Sequence, residues 1–198
     1  MVAPGYVTAM DAFLARVGGT PVGAFHGVRN MPYASRGNRD PAVALGEGEG
    51  ACTAKHILLR DLLRHLGEAA DVETVEGDFA ALVPDLPSMP DELRGAGPVR
   101  DFHNVTVWRG WRLDATWPDR LAPYGFALND GWAGEGETPL AVGSPQGRGI
   151  AEDAAAHKAA LIATMPEAER EHRARYLKNL TAWLDWAQHN ETLRRDAS

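Results

Sequence analysis

The stretch FHNVTVWRGWRLDATW, residues 102–117, constrains the fold of this chain most. Two runs rich in β-branched and aromatic residues flank Arg109-Gly110, a two-residue hairpin signal. With that turn Trp108 pairs with Trp111 and, counting outward, Val105 faces Asp114. Side chains at 103 and 105 share one face of a strand, so His103 and Asp114 become diagonal neighbours within reach of each other. A four-residue loop keeps this register, whereas a three-residue loop sets the two groups on opposite faces.

Upstream, the chain's one cysteine stands in GEGEGACTAKHILLRDLLRHLG, residues 46–67. Ile57, Leu58, Leu59, Leu62, Leu63 and Leu66 make an apolar helical stripe, with Lys55, Arg60, Asp61 and Arg64 mainly on the other side and Gly67 as the stop. Cys52 falls in the first turn of that helix. A small buried cysteine is common core packing. A thiol at a helix N-terminus also gains from the unpaired N–H groups, which favour thiolate and can donate to an oxyanion. Position alone leaves these two readings even. The hairpin shifts the balance toward chemistry, because a nucleophilic cysteine needs a histidine base and the histidine needs an orienting group. The glycines before Cys52 are expected to leave room for an approaching carbonyl.

The same segments resemble the transglutaminase-like superfamily of papain-fold cysteine enzymes. GACTAKHILLRDLLRHLGEAADVETVEGDF, then FHNVTV, then WRLDATWPDRL follow that family's order of a Gly-x-Cys stretch opening a leucine-rich helix, a histidine strand, and a Leu-Asp-Ala-Thr strand end. The resemblance covers about residues 28–121. It implies Cys52 as nucleophile, His103 as general base and acid, and Asp114 as the group that orients the imidazole. The His103-to-Asp114 spacing is shorter than in many members, and Asn104 stands where an aromatic residue often follows the histidine. No tryptophan precedes Trp108, so the oxyanion-assisting tryptophan of animal transglutaminases has no counterpart. A second oxyanion or substrate contact is sought among Asn30, Tyr33, His26, His56 and Asn104, with Trp117 close to the end of the catalytic strand.

The expected fold is α+β: a papain/transglutaminase-like core with the nucleophile helix packed on an antiparallel sheet, plus C-terminal helices. Residues 1–149 are read as the catalytic domain and 150–198 as a helical extension packed on it. Residues 6–17 form a short helix ended by Gly18-Gly19, residues 20–50 an irregular approach segment, and residues 71–79 a strand. The proline-bearing 80–100 segment reads as a surface loop, and 118–149 is left without an element. A first C-terminal helix spans about 151–163 and a second starts at Pro166.

A formal charge of −7 with no basic stripe argues against a nucleic-acid partner. No stretch approaches the ~20 apolar residues of a membrane span. The N-terminus lacks a signal-peptide pattern, so the expectation is a soluble, cytoplasmic protein. Arginine outnumbers lysine 17 to 3. Cys52 and His56 are spaced to share a metal, but no further ligand cluster accompanies them, and neither metal nor cofactor is expected. His56, besides its place among the site candidates, reads as a solvated or capping residue, and His65, His157, His172 and His189 read as solvated. Asn129–Gly131 reads as a turn, and Trp132 as a second tryptophan near substrate. The partner is then a peptide, protein or small-molecule acyl substrate, including a carrier-bound thioester. Hydrolysis, acyl transfer to an amine, and binding without turnover remain as separate functions.

Overall fold

The computed structural model describes residues 4–128 and 130–189, so Asn129 of the expected turn and the side chain of His189 lie outside it. The chain runs α1 (Pro4–Val17), α2 (Pro21–Arg29), α3 (Pro41–Glu47), α4 (Cys52–His65), β1 (Ala70–Asp78), α5 (Asp91–Arg94), β2 (Arg100–Trp108) and β3 (Trp111–Leu113). A 3-10 helix (Asp119–Tyr124), β4 (Gly143–Ile150), α6 (Ala154–Ala163) and α7 (Glu167–His189) complete it. The strands form one antiparallel sheet in the order β3-β2-β1-β4, so the fold is α+β.

The hairpin register matches the sequence. Trp108 pairs with Trp111, Val107 with Arg112 and Thr106 with Leu113. Arg109 and Gly110 both take positive φ, 53° and 81°, the combination a tight hairpin with right-handed strand twist requires. Their neighbours Trp108 and Trp111 meet edge to face, ring centroids 6.3 Å apart.

Three expectations are corrected. Residues 20–50 contain two helices. Thr20 and Asp40 accept from the amides of Gly23 and Ala42, and Pro21 and Pro41 follow the two caps. This is the cap-then-proline start that a helix favours. Residues 143–150 are a fourth strand, paired to β1 at the sheet edge. Its side chains are almost all exposed, so no apolar alternation marks it. Backbone pairing holds it, with Glu76 bridging Arg100 of β2 and Arg148 of β4. Helix α4, finally, is not one-sided: Lys55, His56 and Arg60 are buried with its leucines, because helices and sheet enclose it.

Two apolar clusters meet around the sheet. One joins Phe13, Phe25 and Leu58 to Trp108 and Leu113. The other joins Val75, Phe79 and Val105 to Trp117 and to Tyr176, Leu180 and Trp183 of α7. The 80–100 segment is a loop carrying only α5, yet it contributes Met89, Leu93 and Val99 to the second cluster.

Candidate functional site

Cys52 opens α4 after Ala51, a residue that offers no side-chain cap, so no side chain competes for the first-turn N–H groups. The thiol is buried, with 3% of the residue exposed. His103 of β2 is fully buried and its Nε2 lies 2.7 Å from Asp114 Oδ2. The other ring nitrogen, Nδ1, is buried and has no hydrogen-bond partner. Asp114 follows β3 and is held by three further contacts. The amide of Thr116 donates to Oδ1 at 2.9 Å and that of Ala141 to Oδ2 at 2.7 Å; its own amide donates to the Thr138 hydroxyl at 2.7 Å.

A second charged group reaches the thiol from the C-terminal helices. Lys158 Nζ of α6 lies 3.3 Å from Cys52 Sγ and 3.7 Å from Asp101 Oδ2. Arg173 of α7 donates to Asp101 Oδ1 at 2.5 Å. Asp101 lies two residues before His103 on β2, and Lys158 and Asp101 are both buried. The C-terminal helices are therefore part of the site's wall.

These neighbours set the charge states. Burial opposes a charged Cys52, but Lys158 and His103 outweigh it and hold the thiol well below its ordinary value. Burial likewise opposes a charged His103, yet the carboxylate of Asp114 and the sulfur push it up to about 10. Asp114, though buried, stays well below the usual carboxylate range beside His103. Asp101, against its burial, is lowered by Lys158 and Arg173. Both directions favour a thiolate and an imidazolium over a neutral thiol and a neutral imidazole.

His56 is fully buried rather than solvated. Its Nδ1 donates to the Cys52 carbonyl at 2.7 Å and its Nε2 accepts from the Ala115 amide at 2.9 Å. Nε2 therefore carries no proton, and its 3.4 Å approach to Asp114 Oδ1 is a packing contact, not an ion pair. His56 ties the start of the nucleophile helix to the strand end of Asp114. His56, His103 and Asp114 each offer a ligand atom within 4.8 Å of the others. Nε2 of both histidines and both Asp114 oxygens are already engaged in hydrogen bonds or close contacts, so an ion there would have to break them.

The other sequence-nominated residues separate. Tyr33 lines the cavity above Cys52, and its ring packs on Trp117 at 5.0 Å. Trp117 is 2% exposed, lies against Phe79, and its indole N–H has no partner; it backs the wall rather than forming it. Asn104 accepts from the Thr53 hydroxyl at 2.8 Å and donates to the Thr74 hydroxyl at 3.0 Å, a tie between α4 and the sheet. Asn30 clasps Asp119, donating to Oδ2 at 2.8 Å and accepting from its amide at 3.0 Å. His26 lies 2.7 Å from the Trp132 carbonyl. Neither Asn30 nor His26 lines the cavity, and Trp132 sits in the first apolar cluster. His65 is exposed in the last turn of α4, as expected, and lies 2.7 Å from an Asp11 carboxylate oxygen; half-buried His157 reaches the Arg148 carbonyl at 3.1 Å.

The glycines also have another purpose. Gly48 caps α3 at φ 71°. A Cβ on Gly50 would meet Ala44 and Ala54 at 3.2 and 3.5 Å, so this glycine lets α3 and α4 pack. It does not clear a path for substrate.

Sequence reasoning missed Lys158, Asp101, Arg173 and Lys55. Lys55 is fully buried, and its Nζ donates to the carbonyls of Arg29, Met31 and Thr116 at 3.0, 2.9 and 2.9 Å, joining three chain segments beneath the site. Burial pushes its ammonium down, but the three carbonyls engage all three of its protons. A signal was present: in a chain with 17 arginines, each of three lysines stands out, and Lys158 lies in the alanine-rich run AAAHKAALIA.

Compared with models of protein families, with curated proteins and with solved structures, the chain matches none, so the site is read from its own geometry. Among the described residues no helix is long and apolar enough to cross a membrane.

Proposed function

We propose that this chain is a cysteine-dependent acyl-transfer enzyme with a transglutaminase-like core, acting as a hydrolase on an amide, peptide or related acyl substrate. One observation carries the reading: His103 commits Nε2 to a buried carboxylate and leaves Nδ1 without a partner, beside a thiol that its charge helps to ionise. The order of a Cys52 helix, a His103 strand and an Asp114 strand end accords with it.

The steps follow from the charges. The Cys52 thiolate attacks the carbonyl carbon, and electrons move onto the carbonyl oxygen. The new oxyanion lies within reach of the α4 N-terminal amides and of Lys158, which a 3.3 Å contact already places at the sulfur. As the tetrahedral adduct collapses, imidazolium His103 gives its Nδ1 proton to the leaving group, and a thioester remains on Cys52. Neutral His103 then takes a proton from water, whose oxygen attacks the thioester. The acid leaves and the thiolate–imidazolium pair returns. Asp114 holds the ring with Nδ1 toward the sulfur throughout. The cavity wall carries three cations, Arg39, Lys158 and Arg173, against the one acid Asp101; it disfavours an ammonium acceptor, which supports water over an amine.

The test is intact-mass trapping. An activated ester should add one acyl group to the wild type and none to Cys52→Ala. The adduct should decay in buffer at a rate that added amine does not change. Faster decay with amine supports amide formation instead, and an unmodified Cys52 refutes both.

A further inference from the structure

The cavity over Cys52 has a volume of about 110 Å³. It is a small cavity, partly open to solvent, of a size that suits a short acyl group. Its charged lining is Arg39, Asp101, Lys158 and Arg173. Asp101 already answers Arg173 and lies 3.7 Å from Lys158, whereas half-buried Arg39 has no hydrogen-bond or ion-pair partner among the described residues. At rest the thiolate and Asp101 balance Lys158 and Arg173. Acylation removes the sulfur's charge, because the S–C bond uses the electron pair that held it. His103 gives up its proton in the same step, and the wall of the acyl-enzyme is left with Arg39, Lys158 and Arg173 against Asp101 alone, in a cavity partly open to solvent. Asp114 does not correct this, since it lies behind His103 and does not line the cavity.

We propose that the acyl group accepted by Cys52 is itself anionic, a short chain ending in a carboxylate that answers the cations of the cavity wall. Arg39 and Lys158 receive that carboxylate, and Arg173 stays bound to Asp101. The loop bearing Arg39 is built to hold such a position: the Ser35 amide donates to the Thr181 hydroxyl at 3.0 Å, and Arg36 bridges Glu49 and Asp185 at 2.8 Å each. The inference rests on the acyl-transfer reading, and its test separates the two. Activated esters of matched length, butyryl, succinyl and 4-aminobutyryl, are mixed with the full chain, and acylation of Cys52 is followed by intact mass. Each rate is divided by the rate of the same ester with free cysteine. Succinyl should exceed butyryl by about tenfold or more and 4-aminobutyryl should be slowest, and Arg39→Glu should reverse the order of the two charged esters. Equal normalised rates for succinyl and butyryl, on a protein that does acylate at Cys52, overturn the anionic assignment alone. Failure of every ester to modify Cys52 overturns the acyl-transfer reading and the assignment with it.

Discussion

Two buried aspartates flank Cys52, and they serve different purposes. Asp114 is bonded to an imidazole and to two backbone amides, so it fixes the direction in which one proton moves. Asp101 is bonded to a guanidinium and lies near an ammonium, so it fixes where positive charge sits. In the proposed mechanism the first side handles protons, and the second keeps the sulfur ionised and receives the negative charge that forms when it attacks. A neutral nucleophile would need the proton-handling side most; a preformed thiolate depends on both.

Removing the groups one at a time breaks this division in order of size. His103→Ala should cut acylation by about 10⁴-fold, because no other group moves the proton. A change under about tenfold in single-turnover kinetics contradicts the assignment. Asp114→Asn keeps the shape and removes the charge that raises His103. Acylation should fall by about 10³-fold, and the alkaline limb of the pH profile should move from about 10 toward the ordinary histidine value of about 6.5. Lys158→Met touches only the other side. It should cost about 10- to 100-fold and raise the acid limb, because the thiol loses its strongest counter-charge, while leaving the His103 limb in place; movement of the His103 limb as well would merge the two sides into one unit.

The pair also gives stability a distinctive pH dependence. His103, raised in the folded state, adds stability that is complete below about 6.5 and lost as pH climbs through about 10. Cys52, lowered in the folded state, adds stability that is complete above its unfolded value of about 8.5 and lost as pH falls. Between about 6.5 and 8.5 the two slopes cancel, since the folded ion pair and the unfolded neutral pair bind the same number of protons. Denaturant midpoints should therefore be flat across that window and fall on either side, and Asp114→Asn should narrow the plateau from the alkaline side. The smallest effect belongs to Asn30→Ala: about 1–2 kcal/mol of stability from the lost clasp on Asp119, with turnover unchanged.

The proton-handling side was legible in the sequence and the charge-holding side was not. His103 and Asp114 lie 11 residues apart across a tight turn, where strand alternation determines who faces whom. Lys158 meets Cys52 across 106 residues, and no local period encodes that meeting; it depends on how α6 packs against β1, β2 and α4. Strand β4 escaped for a related reason, being an edge held by backbone pairing with exposed side chains. Helices α2 and α3 had readable starts in Thr20-Pro21 and Asp40-Pro41, masked by their glycine- and asparagine-rich surroundings. His56 looked like a surface cap because its helix was read as one-sided. It is buried because the sheet, Ala115 and Asp114 close over that face.

The central claim is that Cys52 rests as a thiolate paired with protonated His103. The ultraviolet absorbance of the thiolate, followed against pH in the native chain and in His103→Ala, tests it most directly. The account predicts thiolate already present well below pH 7 in the native chain, with its titration shifted upward in His103→Ala. Thiolate that appears only near the ordinary cysteine value of about 8.5, at the same pH in both proteins, would contradict it.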